Sequence, residues 1–516
     1  MPSVIHAQTA AEKKKAVRRV AAGEATSLGR GFYLDHEGRD PAIAMRSSWA
    51  DIAGTLFPEA VITDRSGLEG RPVADEDGAR WLFLSGPYAT KVHQFGELRI
   101  SVRRGPGPAK GDTPFMGGTL FASRERALLD NLPPSRARSG PARTLGGEKV
   151  EHELDRTLVM SGEAGLNSLR DKARALSGLI GREEEFRRLD EKIGAALGTR
   201  TAKAESKLWG ARIIGRAYDD EAIRRLSGMF SHLSVRAPHA VQSRNGDQAR
   251  VAGAFFEAYF SNFIEGTRFT LGDAKEIVDS GLVPENRPSD GRDVLSTYQL
   301  FTGPRLSSLT SLNETSALDL IRGVNARLMS GRPEMRPGEF KTHKNSAGDT
   351  VFVIPDLVYG TILRGLEIIR STDDGFARAI MTHALLTDVH PFNDGNGRTS
   401  RALMGNELEC AGLSRICVPT VYRSDYIDAQ RAYTRRGDPD IITRSLFFCQ
   451  RVTAACAGTD FEEQARRWAT AYAFCENGSH ARLEMPSRKE VEWRHGVPAP
   501  VDYWEGVDGA SPPINF

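Results

Sequence analysis

The 516-residue chain has no uninterrupted apolar run near the roughly 18 to 20 residues that cross a bilayer, and no apolar stretch before a small-residue cleavage site at its start. These absences argue against a membrane or secreted protein and lead us to expect a cytoplasmic one. An excess of charge of one sign is missing too. Lys+Arg 69 against Asp+Glu 67 leaves a net +2, so no overall field pulls the molecule onto nucleic acid, and any such binding must be local. Cysteine is scarce: Cys410, Cys417, Cys449, Cys456 and Cys475 all lie late in the chain, with neither CxxC nor zinc-ligand spacing, which reads as a reduced chain. No repeat with a period of about 20 to 50 residues is present either.

What remains is an ordinary globular composition, 40% hydrophobic and 26% charged, long enough for roughly three domains with real cores. From Ala10 to Val20 a helical stretch carries Lys13, Lys14, Lys15, Arg18 and Arg19, followed by the strand-like Gly31-Phe32-Tyr33-Leu34. Trp49 to Leu56 reads as a helix, and Ala60 to Thr63 and Trp81 to Phe83 as short strands. Turn-rich stretches at Gly105-Pro106-Gly107-Pro108 and Pro133-Pro134 then give way to a helical period in Leu166, Leu169, Ala173, Leu176 and Ile180, continued by Phe186, Leu189 and Ile193. The expected fold is mainly α. A mixed α/β, winged-helix-like module (1–105) and a helical domain (106–240) precede a helical core with one hairpin (247–455), and a partly disordered extension (456–516) follows.

The chemistry concentrates in His390-Pro391-Phe392-Asn393-Asp394-Gly395-Asn396-Gly397-Arg398-Thr399-Ser400-Arg401, a loop between two helical patterns. Glycines on both sides of Asn396 let backbone N–H groups turn inward where the positive end of a helix also faces the loop, which suits an anion. Arg398 and Arg401, three apart, add permanent charge with fork geometry fit for successive phosphates. Asp394 offers the hard oxygen that Mg2+ needs when phosphate and water supply the rest. His390, just ahead of the cradle, stands where a base takes a proton from a hydroxyl attacking phosphorus in line.

This stretch resembles the Fic family signature HPFx[DE]GNGRxxR, meeting all nine specified positions in twelve residues. The resemblance implies a Fic helical core and a protein adenylyltransferase that moves AMP from ATP, with Mg2+, to a Ser, Thr or Tyr hydroxyl, releasing pyrophosphate. It implies His390 as general base and Asp394 as metal ligand. Gly395, Asn396 and Gly397 become the anion nest, Arg398 and Arg401 the grip on the β- and γ-phosphates, and Thr399 and Ser400 part of the nucleotide site.

The likeness extends over roughly 247–455. His383, seven residues before His390, matches another family histidine. Pro337 to Thr342, then Ser346 to Asp349 and Val351 to Pro355, read as two short strands around a turn and look like the family's flap, which would hold a target segment by strand pairing through Lys341, Thr342, His343 and Gly348. Lys344-Asn345-Ser346 departs from the usual apolar flap pattern. Tyr426, with Gly437-Asp438 beyond it, resembles the family's adenine- and ribose-side segment.

Upstream, Ser261 and Glu265 are four apart on one helix face and match the family's inhibitory motif, [ST]xxxE[GN]. The resemblance implies that Glu265 pairs with Arg401 and denies it to the γ-phosphate, making the enzyme autoinhibited. Residues 10 to about 235 look instead like AbiEi-type antitoxins and transcriptional regulators, which would place DNA phosphates against Lys13, Lys14, Lys15, Arg18 and Arg30. Three functions therefore stand at this point: an autoinhibited adenylyltransferase acting on a protein, alone or as a homodimer; a deAMPylase or a transferase of another phosphate-containing group; and a DNA-binding regulator or toxin–antitoxin component.

Overall fold

The computed structural model describes residues 2–29, 31–135, 140–243, 246–475 and 481–486; Arg30 and most of the C-terminal extension lie outside them. The described chain is mainly helical and divides into two compact units, Met1–Gly215 and Arg216–Phe516.

The first unit opens with β1 (Ser3–His6), α1 (Ala10–Ala21), β2 (Ala25–Gly29) and β3 (Phe32–Asp35), whose strands form an antiparallel sheet in the order β1-β3-β2. A capping box between Thr9 and Glu12 starts α1. Lys13, Lys14, Lys15 and Arg18 are exposed on it, whereas Arg19 is held by Asp35 at 2.7 Å through Nη2. Then come α2 (Pro41–Ser47), α3 (Trp49–Leu56), β4 (Val61–Ile62), α4 (Asp64–Glu69), β5 (Val73–Ala74), β6 (Arg80–Gly86), β7 (Lys91–Phe95), β8 (Leu98–Arg104), β9 (Thr113–Pro114) and β10 (Leu120–Phe121). The strands build a mixed sheet ordered β7-β8-β6-β4-β10-β9, with β5 on β6. Alternate residues of β8, Leu98, Ile100 and Val102, are buried against Leu82, Leu84 and Phe57, the period-two pattern of a sheet with one packed face.

Helices α5 (Arg124–Asn131), α6 (Gly146–Ile180), α7 (Glu183–Ala196) and α8 (Lys207–Ile213) complete this unit. The stripe Leu166, Leu169, Ala173, Leu176 and Ile180 lies buried on the second part of α6, beyond a break at Gly162, and meets Leu189, Ile193 and Trp209.

The second unit holds α9 (Asp220–Arg236), α10 (Asp247–Ile264), α11 (Leu271–Ser280), α12 (Pro288–Thr302), α13 (Glu314–Leu328), the hairpin β11 (Ser346–Ala347) and β12 (Thr350–Val351), α14 (Pro355–Ile369), α15 (Gly375–Val389), α16 (Asn396–Cys410), α17 (Arg423–Arg436), α18 (Pro439–Cys456) and α19 (Phe461–Thr470). Helices α15 and α16 form its centre. Every residue of α15 from Ala379 to Val389 is buried, as is α16 from Arg398 to Leu408, so neither shows the one-sided pattern of a surface helix. The aromatic side of α10 packs on α19, with Phe256 stacked on Phe461 at 5.0 Å and Phe260 edge-on to Trp468 at 5.1 Å.

The hairpin is shorter than the sequence pattern suggests. Its turn centres on Gly348, at φ 56°, and residues 337–342 make only a single bridge, Phe340 to Phe392. Pro337 and the buried Lys341 favour a loop that hydrogen-bonds across to the motif over a ladder.

Arg225 of α9 clamps Asp388 at the end of α15 with two hydrogen bonds, Nε at 2.8 Å and Nη2 at 3.0 Å. Removing the carboxylate leaves a mostly buried guanidinium unpaired. Asp388→Ala should therefore lose about 2 to 3 kcal/mol in urea unfolding, less than a fully buried pair because Arg225 keeps some solvent.

Candidate active site

Helix α15 ends at His390, in the left-handed conformation with φ 51° and ψ 60°, and this turn sends the chain into the loop. Asn396 closes the loop on itself: its Oδ1 accepts from Phe392 N at 2.8 Å and its Nδ2 donates to Phe392 O at 2.9 Å. Gly395, at φ 75°, starts α16, and a Cβ there would overlap Met329. Asn325 of α13 braces the same turn, donating to Asp394 O at 3.1 Å and Thr399 Oγ1 at 3.2 Å while accepting from Gly338 N at 2.9 Å.

The hairpin side is tied to the loop by backbone groups. Lys341 N donates to Pro391 O at 2.8 Å, and its buried ammonium donates to Val389 O at 3.1 Å and Asn345 Oδ1 at 2.6 Å. Asn345 Nδ2 donates in turn to the carbonyls of His390 and Phe392 at 3.3 and 3.1 Å. Burial pushes the Lys341 ammonium down to about 8. Thr342 and His343 are exposed and paired with each other at 3.0 Å, and Gly348 sits at the hairpin turn. The hairpin leans on α17 through Arg435 Nε, which donates to Thr350 Oγ1 at 2.9 Å.

Phe352 lies flat on the His390 ring, 3.7 Å between centroids and 4° between planes. The ring's Nδ1 faces Thr387 O at 3.3 Å, so with the proton on Nδ1 the basic lone pair is on Nε2. Burial drives His390 down to about 4; the Thr387 carbonyl opposes this and the Lys341 charge adds to it. The imidazole is a neutral base across the physiological range.

The two arginines of the motif have different surroundings. Arg398 is 3% exposed and pairs through Nη1 with Asp293 of α12 at 2.8 Å, and that carboxylate also takes Arg332 at 2.9 Å. Arg401 is gripped by the end of α10. Its Nε donates to Ser261 Oγ at 3.1 Å, and its Nη2 to Ser261 O at 2.9 Å and to Glu265 Oε1 at 2.7 Å. Desolvation alone would raise the Glu265 pKa, but Arg401, with Arg398 behind it, outweighs that and holds the carboxyl below its ordinary range. A Cβ on Gly397 would overlap Glu265 Oε1, which puts this carboxylate over the first turn of α16, where helix N–H groups point. Thr399 and Ser400 are buried, and the Ser400 hydroxyl bonds back to Gly397 O at 2.8 Å.

Tyr426 is buried behind Arg401. Its hydroxyl meets His383 Nε2 at 2.7 Å and accepts from Gln430 at 2.8 Å. Burial and the nearby Arg401 charge push His383 down to about 3.

Asp394 has its side chain 40% exposed, with Oδ1 accepting from Gly395 N at 2.6 Å and Oδ2 3.8 Å from Arg398. No group of three His, Cys, Asp or Glu suited to a metal exists among the described residues. A divalent cation here would depend on Asp394 plus ligands brought by a phosphate substrate, which suits Mg2+ and its preference for few carboxylates.

Asn325, Asp293, Asn345 and Phe352 were not singled out as site residues from the sequence. Asn325 gave a signal, a polar side chain beside Val324 in the buried stripe Ala317, Ile321, Val324 and Leu328. Asn345 lay within the departure from the usual flap pattern. Asp293 and Phe352 have no local signal.

Both His383 and His390 have folded values below the ordinary histidine value near 6.5, so as pH falls the unfolded chain binds protons first. The fold should lose stability between about pH 6.5 and 4. A urea midpoint that drops from pH 7 to pH 5, and drops less in His383→Gln, is the expected result.

The Fic/DOC family model matches residues 315–408. A protein adenylyltransferase fic-1 of Caenorhabditis elegans is 26% identical over 177 residues, 33% of this chain and 35% of the relative. A protein adenylyltransferase Fic of Drosophila erecta is 28% identical over 285 residues, 53% of this chain and 56% of the relative. The chain thus spans between about a third and about half of these relatives' lengths. A solved fragment of Fic-1 from C. elegans aligns with 60% of this chain and 86% of the fragment at 18% identity, with a TM-score of 0.35. With the matched segment running from α13 to α16 and enclosing the whole His390–Arg401 loop, the chain contains a Fic/DOC domain related to protein adenylyltransferases.

Proposed function

We propose that the protein is an autoinhibited adenylyltransferase that moves AMP from ATP to a hydroxyl of a protein, its own chain included. The observation that carries this reading is the Glu265 carboxylate over Gly397 and 2.7 Å from Arg401, an internal anion where a substrate phosphate would find helix N–H groups and a guanidinium.

In the reaction, the target hydroxyl oxygen bonds to the α-phosphorus of ATP as the bond from that phosphorus to the bridging oxygen breaks. Pyrophosphate leaves with the electron pair, and His390 Nε2 takes the hydroxyl proton. The stack on Phe352 and the contact with Thr387 O orient the ring, and the low histidine pKa keeps it able to accept. The N–H groups at the start of α16 and Arg401 receive the phosphates, and Asp394 would hold Mg2+ against them. When bound, that ion neutralises charge on the triphosphate. Arg398, tied to Asp293, contributes a fixed positive charge. The hairpin at 346–351 lies where an extended target segment could add as a strand, with Val351 exposed beside it.

Glu265 competes with the γ-phosphate for Arg401. While the pair holds, ATP lacks the contact that would turn its α-phosphorus in line, and transfer waits.

Intact mass and labelling with ATP carrying the label at the α- or the γ-phosphate test the reading. Glu265→Gly should gain one AMP mass per site, with α-label only, and incorporate it about tenfold or more faster than wild type, the factor that ~1.4 kcal/mol of competition supplies. His390→Ala in the same background should incorporate none. Transfer of γ-label would point to a phosphotransferase, and loss of AMP from a premodified protein to a deAMPylase. With a base near 4, the Glu265→Gly rate should stay flat through neutral pH and fall only as pH drops towards that value.

A further inference from the structure

Two carboxylates flank the Arg398 guanidinium, one from inside the fold and one from the cradle. Asp293, on α12, is 1% exposed at its side chain and stands 2.8 Å from Nη1. Asp394, four residues before Arg398, is 40% exposed, and its Oδ2 stands 3.8 Å from Nη2. The first is an ion pair; the second is longer by about 0.6 Å than a hydrogen bond from nitrogen allows. That Asp394 oxygen is the one a cation would use. Oδ1 accepts from Gly395 N at 2.6 Å, which leaves Oδ2 without a hydrogen bond among the described residues.

Asp293 is fixed in place by its own helix and by the neighbouring one. Its carbonyl accepts from Thr297 Oγ1 at 2.7 Å and from Asn262 Nδ2 of α10 at 3.4 Å. Its Oδ2 also takes Arg332 Nε at 2.9 Å, while Asp290 accepts from Arg332 Nη2 at 2.8 Å. Two guanidiniums therefore converge on one oxygen of Asp293. Its Oδ1 and the Nε of Arg398 are buried without a hydrogen-bond partner among the described residues. Arg398 is thus held by charge and not by a bidentate fork, so its position depends on the Asp293 charge. Were that charge removed, Asp394 would be the carboxylate left beside the guanidinium, since Glu265 is engaged by Arg401.

We propose that Asp293 is a positioning residue for the metal site: by holding Arg398 it keeps the guanidinium off Asp394 and leaves that carboxylate to a divalent cation. An Arg398–Asp394 pair would both neutralise the one carboxylate available there and cover its free oxygen. This role rests on Asp394 being the Mg2+ ligand of the proposed reaction. Asp293 itself touches neither nucleotide nor cation.

Glu265→Gly serves as parent, so that Arg398 has no second acid to turn to and the brake plays no part. Mn2+ in place of Mg2+ is titrated into the full chain with one equivalent of the non-cleavable analogue α,β-methylene-ATP, and water-proton relaxation reports the protein-bound ion. Asp293→Asn should bind Mn2+ about fivefold more weakly, the scale of a partly exposed ion pair. In an Arg398→Met background, where no guanidinium can swing onto Asp394, adding Asp293→Asn should leave the affinity where it was. Self-labelling gives a second readout: half-saturating Mg2+ should rise about fivefold in Asp293→Asn, with a smaller fall in the rate at saturating Mg2+. Should Asp293→Asn not fold with two guanidiniums unanswered, Arg332→Met is added to every member of the set. Unchanged Mn2+ affinity in Asp293→Asn, or the same loss with and without Arg398, overturns the role of Asp293 alone, provided that Asp394→Asn weakens binding. Undiminished Mn2+ binding in Asp394→Asn overturns the reading of Asp394 as metal ligand and the role of Asp293 with it.

Discussion

Everything in the second unit is arranged around one guanidinium. Arg401 is almost completely buried, cannot lose its charge, and must be answered by something negative. Glu265 answers it from α10, Ser261 adds a hydroxyl and a carbonyl, and Tyr426 stands behind with His383 and Gln430. Desolvation works against the charges of both partners, and their mutual attraction keeps both ionised. Such a pair is not a large source of stability. It makes the site selective about what replaces the carboxylate, because only an anion of comparable charge and fork geometry leaves Arg401 satisfied.

The same economy explains the neutral histidine. His390 is packed against Phe352 and bordered by the Lys341 ammonium, so a second positive charge beside the cradle is disfavoured. The cradle's positive charge comes from groups that do not titrate, helix N–H and arginine, whereas the imidazole beside them is kept uncharged. Lys341 serves as a tie between backbone segments, its ammonium spent on Val389 O and Asn345.

The contiguous parts were the readable ones. The loop from His390 to Arg401 makes many of its defining hydrogen bonds within itself, such as those of Asn396 to Phe392, so its shape is written in neighbouring letters. Helix α1 and strand β3 were equally plain, because their periods are local. Strands of two residues such as β4, β9 and β10 carry no period, and the order β7-β8-β6-β4-β10-β9 comes from pairings distant in sequence. Arg398 is the instructive case within the site. Its spacing from Arg401 suggested a matched pair of phosphate ligands; its partner in the fold, Asp293, lies more than a hundred residues upstream, beyond the reach of any local pattern. Asn345 teaches the converse: a residue that departed from the usual flap composition holds the hairpin side to the loop through two carbonyls.

Gly397 has a consequence for how this sequence can vary. The turn into α16 asks for glycine at 395; at 397 glycine is required because the oxygen of Glu265 occupies the volume a methyl group would take. That requirement belongs to residue 265, not to the loop. A chain without that carboxylate would meet a smaller penalty for alanine at 397, and a chain that acquired alanine first would be pressed to lose the carboxylate. The two positions are therefore bound in their histories: the tolerance of the His390–Arg401 loop to substitution depends on whether the helix in front of it still carries an acid.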